Sequence, residues 1–254
     1  MFDSGLGGLT VLSAVRALIN ATDVYYYADT AHVPYGDRAL DQVAGFARRI
    51  ISRLLQHDPS AIVIACGTTC SAFDKLGWPD VPVPLIGLVE PGARAACAAT
   101  TNGKIGVIAT NATVKSGVFQ RKILELRPNA IVKSVGAPAL VPIVEGGRWA
   151  TQQARDAVAA SCVALTQAEC DTVILGCTHF PHLLSSFVVA LGPGVRILDP
   201  GTACAQEAVR ILTRMEPLAG KVSFEVSGDP EAFAATATLL SGVKIDDVKH
   251  VELA

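Results

Sequence analysis

The strongest constraint in this chain is a recurring pair of segments. A short, nearly continuous apolar run is followed by a longer amphipathic one, again and again. Residues 24–28, 61–65, 84–89, 105–109, 130–135, 172–176, 195–198 and 222–226 are rich in Val, Ile and Leu and do not alternate apolar with polar. A strand with one wet face alternates, whereas a strand covered on both faces does not, so these runs suit a parallel sheet flanked by helices. The intervening residues 39–56, 114–127, 150–168, 182–191, 203–216 and 230–241 carry apolar side chains at helical spacing. This order predicts an α/β chain built from doubly wound, mainly parallel sheets.

The same pattern predicts two units rather than one. Ile62-Val63-Ile64-Ala65-Cys66-Gly67-Thr68 is echoed by Val173-Ile174-Leu175-Gly176-Cys177-Thr178. Each is a buried strand that delivers a cysteine, then a threonine, at its C-terminal end. The 254 residues suffice for two small α/β domains, each with its own core. We place a first domain at residues 1–90 plus 204–254 and a second at 91–203, related by pseudo-twofold symmetry. The crossings fall where Pro and Gly interrupt the pattern, at Glu90-Pro91-Gly92 and at Pro200-Gly201.

Composition removes several functional classes. Half the residues are hydrophobic and 17% are charged, which is too apolar for a disordered chain. A net charge of −2 leaves no basic footprint for nucleic acid. No run reaches the roughly 20 apolar residues of a spanning helix, so no membrane role is expected. The opening Met1-Phe2-Asp3-Ser4-Gly5 lacks a basic secretory n-region, and a cytoplasmic protein is expected. The seven cysteines, an odd number spread through apolar segments, fit reduced thiols.

Ligands of open α/β sheets sit beyond the C-terminal strand ends. Four segments put polar groups there. Residues 2–10 form a glycine-rich turn whose N–H groups can hold an anion at a helix start. The spacing Gly5-Leu6-Gly7-Gly8 does not match a dinucleotide fingerprint. Residues 29–36 end in Pro34-Tyr35-Gly36, a turn offering N–H groups and an aromatic wall. The other two segments carry Cys66 and Cys177. A single cysteine after an apolar strand is usually a small core residue, but a matched pair in matching contexts points to chemistry. Neither belongs to a Cys-x-x-Cys pair, so zinc spacing is absent. His179 stands two residues after Cys177, where it can tune that thiol. Cys97, Cys162, Cys170 and Cys204 lie in helix-like runs and read as core.

Taken together and in order, these motifs resemble glutamate racemase over nearly the whole chain. The similarity rests on Phe2-Asp3-Ser4-Gly5-Leu6-Gly7-Gly8-Leu9-Thr10, Asp29-Thr30-Ala31-His32-Val33-Pro34-Tyr35-Gly36, Ala65-Cys66-Gly67-Thr68 and Gly176-Cys177-Thr178-His179-Phe180-Pro181, with support from 91–96, 112–117 and 141–145. The resemblance implies two α/β domains with the active site in the cleft between them. It implies Cys66 and Cys177 as catalytic thiols on opposite faces of the substrate Cα. Asp3 would assist Cys66, and His179 with Glu145 would support Cys177. Ser4, Thr68, Thr113 and Thr178 would hold the amino acid, Gly67 would offer it an N–H, and Pro34, Tyr35 and Gly36 would bind the side-chain carboxylate. The substrate would be glutamate, destined for peptidoglycan, and the family is often homodimeric. A related two-thiol racemase acting on aspartate or a hydantoin, or a non-catalytic amino-acid-binding protein, would share this plan.

The chemistry is coherent. Racemisation removes a proton from one face of Cα and returns one to the other, so two groups are needed. Without pyridoxal phosphate as an electron sink, preorganised donors in a dry site must lower the barrier. Two departures stand out. The family usually has Asn where this chain has Gly67, so room and a looser hold on substrate are expected, with Gly67→Asn raising kcat/KM. Also, only Met1 and Phe2 remain of the family's opening strand; we expect that strand to lie centrally and the natural protein to begin several residues earlier. No metal-ligand set or phosphate cradle with a Schiff-base lysine is visible, so no cofactor is expected. Activity should survive a chelator, and the pure protein should show no absorbance beyond its aromatic band; a chelator-sensitive rate overturns this.

Overall fold

The computed structural model describes residues 1–212, 220–241 and 244–253. Its strands are β1 Phe2–Asp3, β2 Val24–Ala28, β3 Ile62–Ile64, β4 Leu85–Gly87, β5 Lys104–Ala109, β6 Ile131–Gly136, β7 Thr172–Leu175, β8 Arg196–Leu198, β9 Val222–Val226 and β10 Val248–His250. They form two sheets, ordered β10-β9-β2-β1-β3-β4 and β6-β5-β7-β8, in which every pairing is parallel. The block β2-β1-β3-β4 of the first sheet has the same order as β6-β5-β7-β8, so β3 and β7, the strands that precede Cys66 and Cys177, are equivalent. In each block the strand order reverses between the first and third strands, which makes a crevice at β1/β3 and another at β5/β7.

Strand β1 is short but central, with β2 on one side and β3 on the other. The Met1 ammonium is buried and donates to the Tyr25 carbonyl at 2.6 Å. Burial lowers its pKa to about 5. Three apolar clusters fill the interior. One covers the outer face of the first sheet, from Val11 and Tyr26 to Phe233. Another packs the second sheet around Val158, Leu175 and Phe187. The third runs through both sheets, from Phe2, Ile64 and Phe73 by way of Ala93 and Ala96 to Phe119 and Ile174.

The helices follow the sequence pattern with instructive exceptions. Residues 39–56 appear as Leu40–Leu55, 150–168 as Gln152–Gln167, and 230–241 as Pro230–Ser241. The run 114–127 is two helices, Asn111–Ser116 and Val118–Leu126, because Gly117 sits between them at φ +69°, left-handed backbone that interrupts the turn. The run 182–191 begins as a tight 3₁₀ turn, Phe180–Leu183, before Leu184–Leu191. The run 203–216 starts earlier, as Pro200–Leu212, and its last residues 213–216 lie outside the described residues.

Glu90-Pro91-Gly92 is not a break in the chain. It lies in the first turns of helix Val89–Ala99, where proline has no intrahelical hydrogen bond to lose. Strand β10 escaped sequence reading because its Val-Lys-His is too polar and too short to stand out. Among the described residues, no helix is long and apolar enough to cross a membrane. Phe187 is fully buried, with its ring 6.1 Å from that of Phe180. Phe187→Ala should therefore cost about 3–5 kcal/mol of stability, read as a lower denaturant midpoint.

Candidate active site

Strand direction decides where the chemistry can be. The turns after β1 and β3 carry Ser4 and Cys66, and those after β5 and β7 carry Thr110 and Cys177. All four residues line one narrow cleft between the sheets. Cys66 occupies the N-cap position of helix Gly67–Leu76 in extended backbone. The first N–H groups of that helix have no intrahelical partner and carry partial positive charge toward the cleft end.

The two thiols have unlike surroundings. Burial pushes the Cys66 thiol up to about 12, and the nearby Asp3 carboxyl adds to this. Cys66 is therefore a neutral thiol at rest. Cys177 Sγ lies 3.7 Å from His179 Nδ1, and His179 Nε2 lies 2.5 Å from Glu145 Oε1. Burial alone would strip His179 of its proton, but the hydrogen bonds to Cys177 and Glu145 outweigh it and hold the imidazole's pKa well above the ordinary value. The same ring keeps the Glu145 carboxyl below its usual range despite burial. Glu145, His179 and Cys177 thus form a relay whose middle member favours its protonated form.

Asp3 is fully buried, and its pKa is raised to about 6, mainly by loss of water. Its Oδ2 accepts the Gly8 N–H at 2.7 Å, and the Thr178 hydroxyl stands 3.4 Å away. The Leu6 N–H donates to Glu145 at 3.1 Å. The glycine-rich turn does hold anions, then, but they are the protein's own carboxylates. Its glycines are needed because the turn presses on the opposite sheet: a Cβ at Gly7 would come within 2.6 Å of His179 Nδ1 and 2.8 Å of its backbone N. From beneath, the Tyr26 hydroxyl ties the turn down through the Gly5 carbonyl at 3.0 Å.

Of the residues expected at the site, Ser4, Cys66, Gly67 and Thr68 face the cleft from the first sheet. Pro34, Tyr35 and Gly36 do so from the turn after β2, and Cys177, Thr178 and His179 from the second sheet. Asp3, Glu145 and Thr113 stand behind that surface. Thr113 accepts from Thr110 at 3.0 Å, and Thr110 bridges the sheets to Thr68, also at 3.0 Å. The Tyr35 hydroxyl is used internally, as a donor to Asp29, which also accepts from Ser227 at 2.6 Å. What Tyr35 offers a ligand is its ring and the backbone of its turn.

One expectation is overturned. Gly67 leaves no room: a Cβ there would sit 2.6 Å from the Gly176 carbonyl oxygen. An Asn would collide with backbone, so Gly67→Asn should not raise kcat/KM. Thr110 and Asn111 also line the cleft and were missed. They follow the strand read at 105–109, so the strand-end rule applied to that run would have found them. Among the described residues, no three His, Cys, Asp or Glu side chains converge as a metal-binding set.

Two thiols in one cleft between parallel sheets, one beside an imidazole and one near a buried carboxyl, are groups able to take up and release protons. Comparison with known proteins specifies the class. Residues 9–208 match the Asp/Glu/Hydantoin racemase family, and the chain belongs to that family. It is 38% identical to the glutamate racemase of Desulforudis audaxviator, over 99% of this chain and 96% of that one. A glutamate racemase crystal structure from Bacillus anthracis superposes with a TM-score of 0.90 at 33% identity, covering 99% of this chain and 96% of that one. One from Thermus thermophilus, in complex with β-chloro-D-alanine, gives 0.85 at 37% identity, covering 99% and 95%.

The relay makes a direct forecast. Glu145→Gln removes the negative charge that helps hold the His179 proton, so the imidazole pKa should fall, as followed by NMR titration of the ring. An unchanged titration would mean that Glu145 does not hold that proton.

Proposed function

We propose that this enzyme interconverts L- and D-glutamate by proton transfer at Cα between Cys66 and Cys177, without an organic cofactor. The observation that carries this reading is the pair of thiols at equivalent strand ends, facing one cleft with opposite electrostatic support. In one direction Cys177 acts as its anion, which the positive charge of the adjacent His179 supports, while Cys66 holds its proton. Cys177 then takes the α-proton on one side while Cys66 gives its proton on the other. The opposite enantiomer is processed with the thiols' roles exchanged, the helix N-terminus beside Cys66 supporting its anion.

The α-proton of an amino acid is very weakly acidic, so the developing carbanion needs donors already in place. The hydroxyls of Ser4, Thr68 and Thr178 and the N–H groups of Gly67 and Thr68 at the start of helix Gly67–Leu76 suit this. The turn at Pro34-Tyr35-Gly36 would receive the side-chain carboxylate. We assign the two sheets to domains at 1–90 plus 204–254 and at 91–203, and the product to cytoplasmic peptidoglycan precursor synthesis.

The test is deuterium incorporation from heavy water into the Cα of L- and D-glutamate, with aspartate run in parallel. Exchange into glutamate supports the assignment; exchange into aspartate alone overturns the substrate. Cys66→Ala and Cys177→Ala should each abolish racemisation, whereas Cys97→Ala, remote from the cleft, should not. Near-normal turnover in either single active-site variant would sink the two-thiol mechanism.

Asp3 supplies the pH dependence. As pH falls through about 6 its carboxylate takes a proton and its support of the Cys66 side changes. kcat/KM should drop across that range, and the drop should vanish in Asp3→Asn. Because its folded pKa is raised, Asp3 favours the folded state below its unfolded value of 3.8 and loses that contribution as pH rises through about 6.

A further inference from the structure

We propose that Gly67 is the spacer of the active site: its missing side chain lets the two cysteine-bearing turns meet backbone to backbone, and this contact sets the thiol separation. The inference rests on the two-thiol reading above. Gly67 directly follows Cys66, and Gly176 directly precedes Cys177. A Cβ on Gly67 would lie 2.6 Å from the Gly176 carbonyl oxygen, closer than real Cβ atoms come to anything, and 3.8 Å from Thr113 Oγ1. A methyl group at this position must therefore move something.

Neither turn can yield alone. Gly176 donates its N–H to the Ile108 carbonyl at 2.7 Å, which fastens it to β5. Behind it stand Phe119 and Ala109, 3.0 and 3.1 Å from where its own Cβ would be. Gly67 is locked into its helix, where its carbonyl accepts from Ser71 Oγ at 2.8 Å and the Cys66 carbonyl accepts from the Cys70 N–H at 3.0 Å. The remaining adjustment is to part the sheets by several tenths of an ångström, and the Thr68–Thr110 bridge would loosen with it.

Nothing else calls for glycine at this position. Gly67 is not among the positive-φ residues, so alanine is compatible with its backbone. Position 67 is also the first residue of a helix, where alanine is a better helix former. The requirement comes from across the cleft. Proton transfer is steeply sensitive to donor–acceptor distance, and a misplacement of about 1 Å can cost on the order of a hundredfold.

The experiment compares wild type with Gly67→Ala and Gly67→Asn. Both variants should still fold, with a melting point lowered by a few degrees. Their kcat should fall by about tenfold to a hundredfold, and the isotope effect from α-deuterated glutamate should grow as proton transfer becomes limiting. Wild-type kcat with an unchanged isotope effect overturns the proposal, as does a rise in KM alone, which would make Gly67 a substrate contact. Crystal structures of wild type and Gly67→Ala provide a readout independent of activity. A longer Cys66–Cys177 sulfur separation in the variant is expected, and an unchanged one refutes the spacer even if the wild type proves not to racemise glutamate.

Discussion

Glu145 is the carboxylate on which the site depends. A part-buried charge needs compensation, and this one is compensated from both sides of the cleft. It accepts the Leu6 N–H from the turn after β1 and the Nε2 hydrogen of His179 from the turn after β7. One acceptor therefore fixes the position of the glycine-rich turn and the protonation of the imidazole together. Replacing Glu145 by a neutral residue would loosen a contact between the sheets and alter the charge beside Cys177 in one step. Asp3 and Thr178 repeat the arrangement more weakly, a carboxylate of the first sheet facing a hydroxyl of the second.

The two halves share a strand order yet surround their cysteines differently. On the first side Cys66 heads a full helix and faces the buried Asp3. On the second, Cys177 is followed by a short 3₁₀ turn that presents His179. Equivalent backbone positions bring both thiols to one cleft, while unlike neighbours give them unlike electrostatic surroundings.

Much of this was legible in the chain. Parallel strands buried on both faces have a simple signature, and the echo around Cys66 and Cys177 marked the equivalent third strands of both sheets. The residues that line the cleft were legible because strand C-terminal ends are where an α/β fold exposes polar groups. Contacts across the cleft were not. That Gly7 faces His179 and Gly67 faces the Gly176 carbonyl depends on how two sheets come together, which no local pattern encodes. For the same reason Gly67 read as an empty space when it is a point of contact. Tyr35 read as a ligand wall, but its hydroxyl is held by Asp29, 6 residues earlier in the chain, through a fold-back that periodicity cannot show. The break at Gly117 was missed because apolar spacing continued across it.

The chain passes between the sheets twice, through helix Val89–Ala99 and through helix Pro200–Leu212, and these two helices lie against each other. At their contact a Cβ on Gly92 would fall 2.7 Å from Pro200 Cβ, so the backbones are nearly as close as they can be. The two connections between the sheets therefore meet at one close contact, and any side chain added at Gly92 would press on Pro200 at that joint.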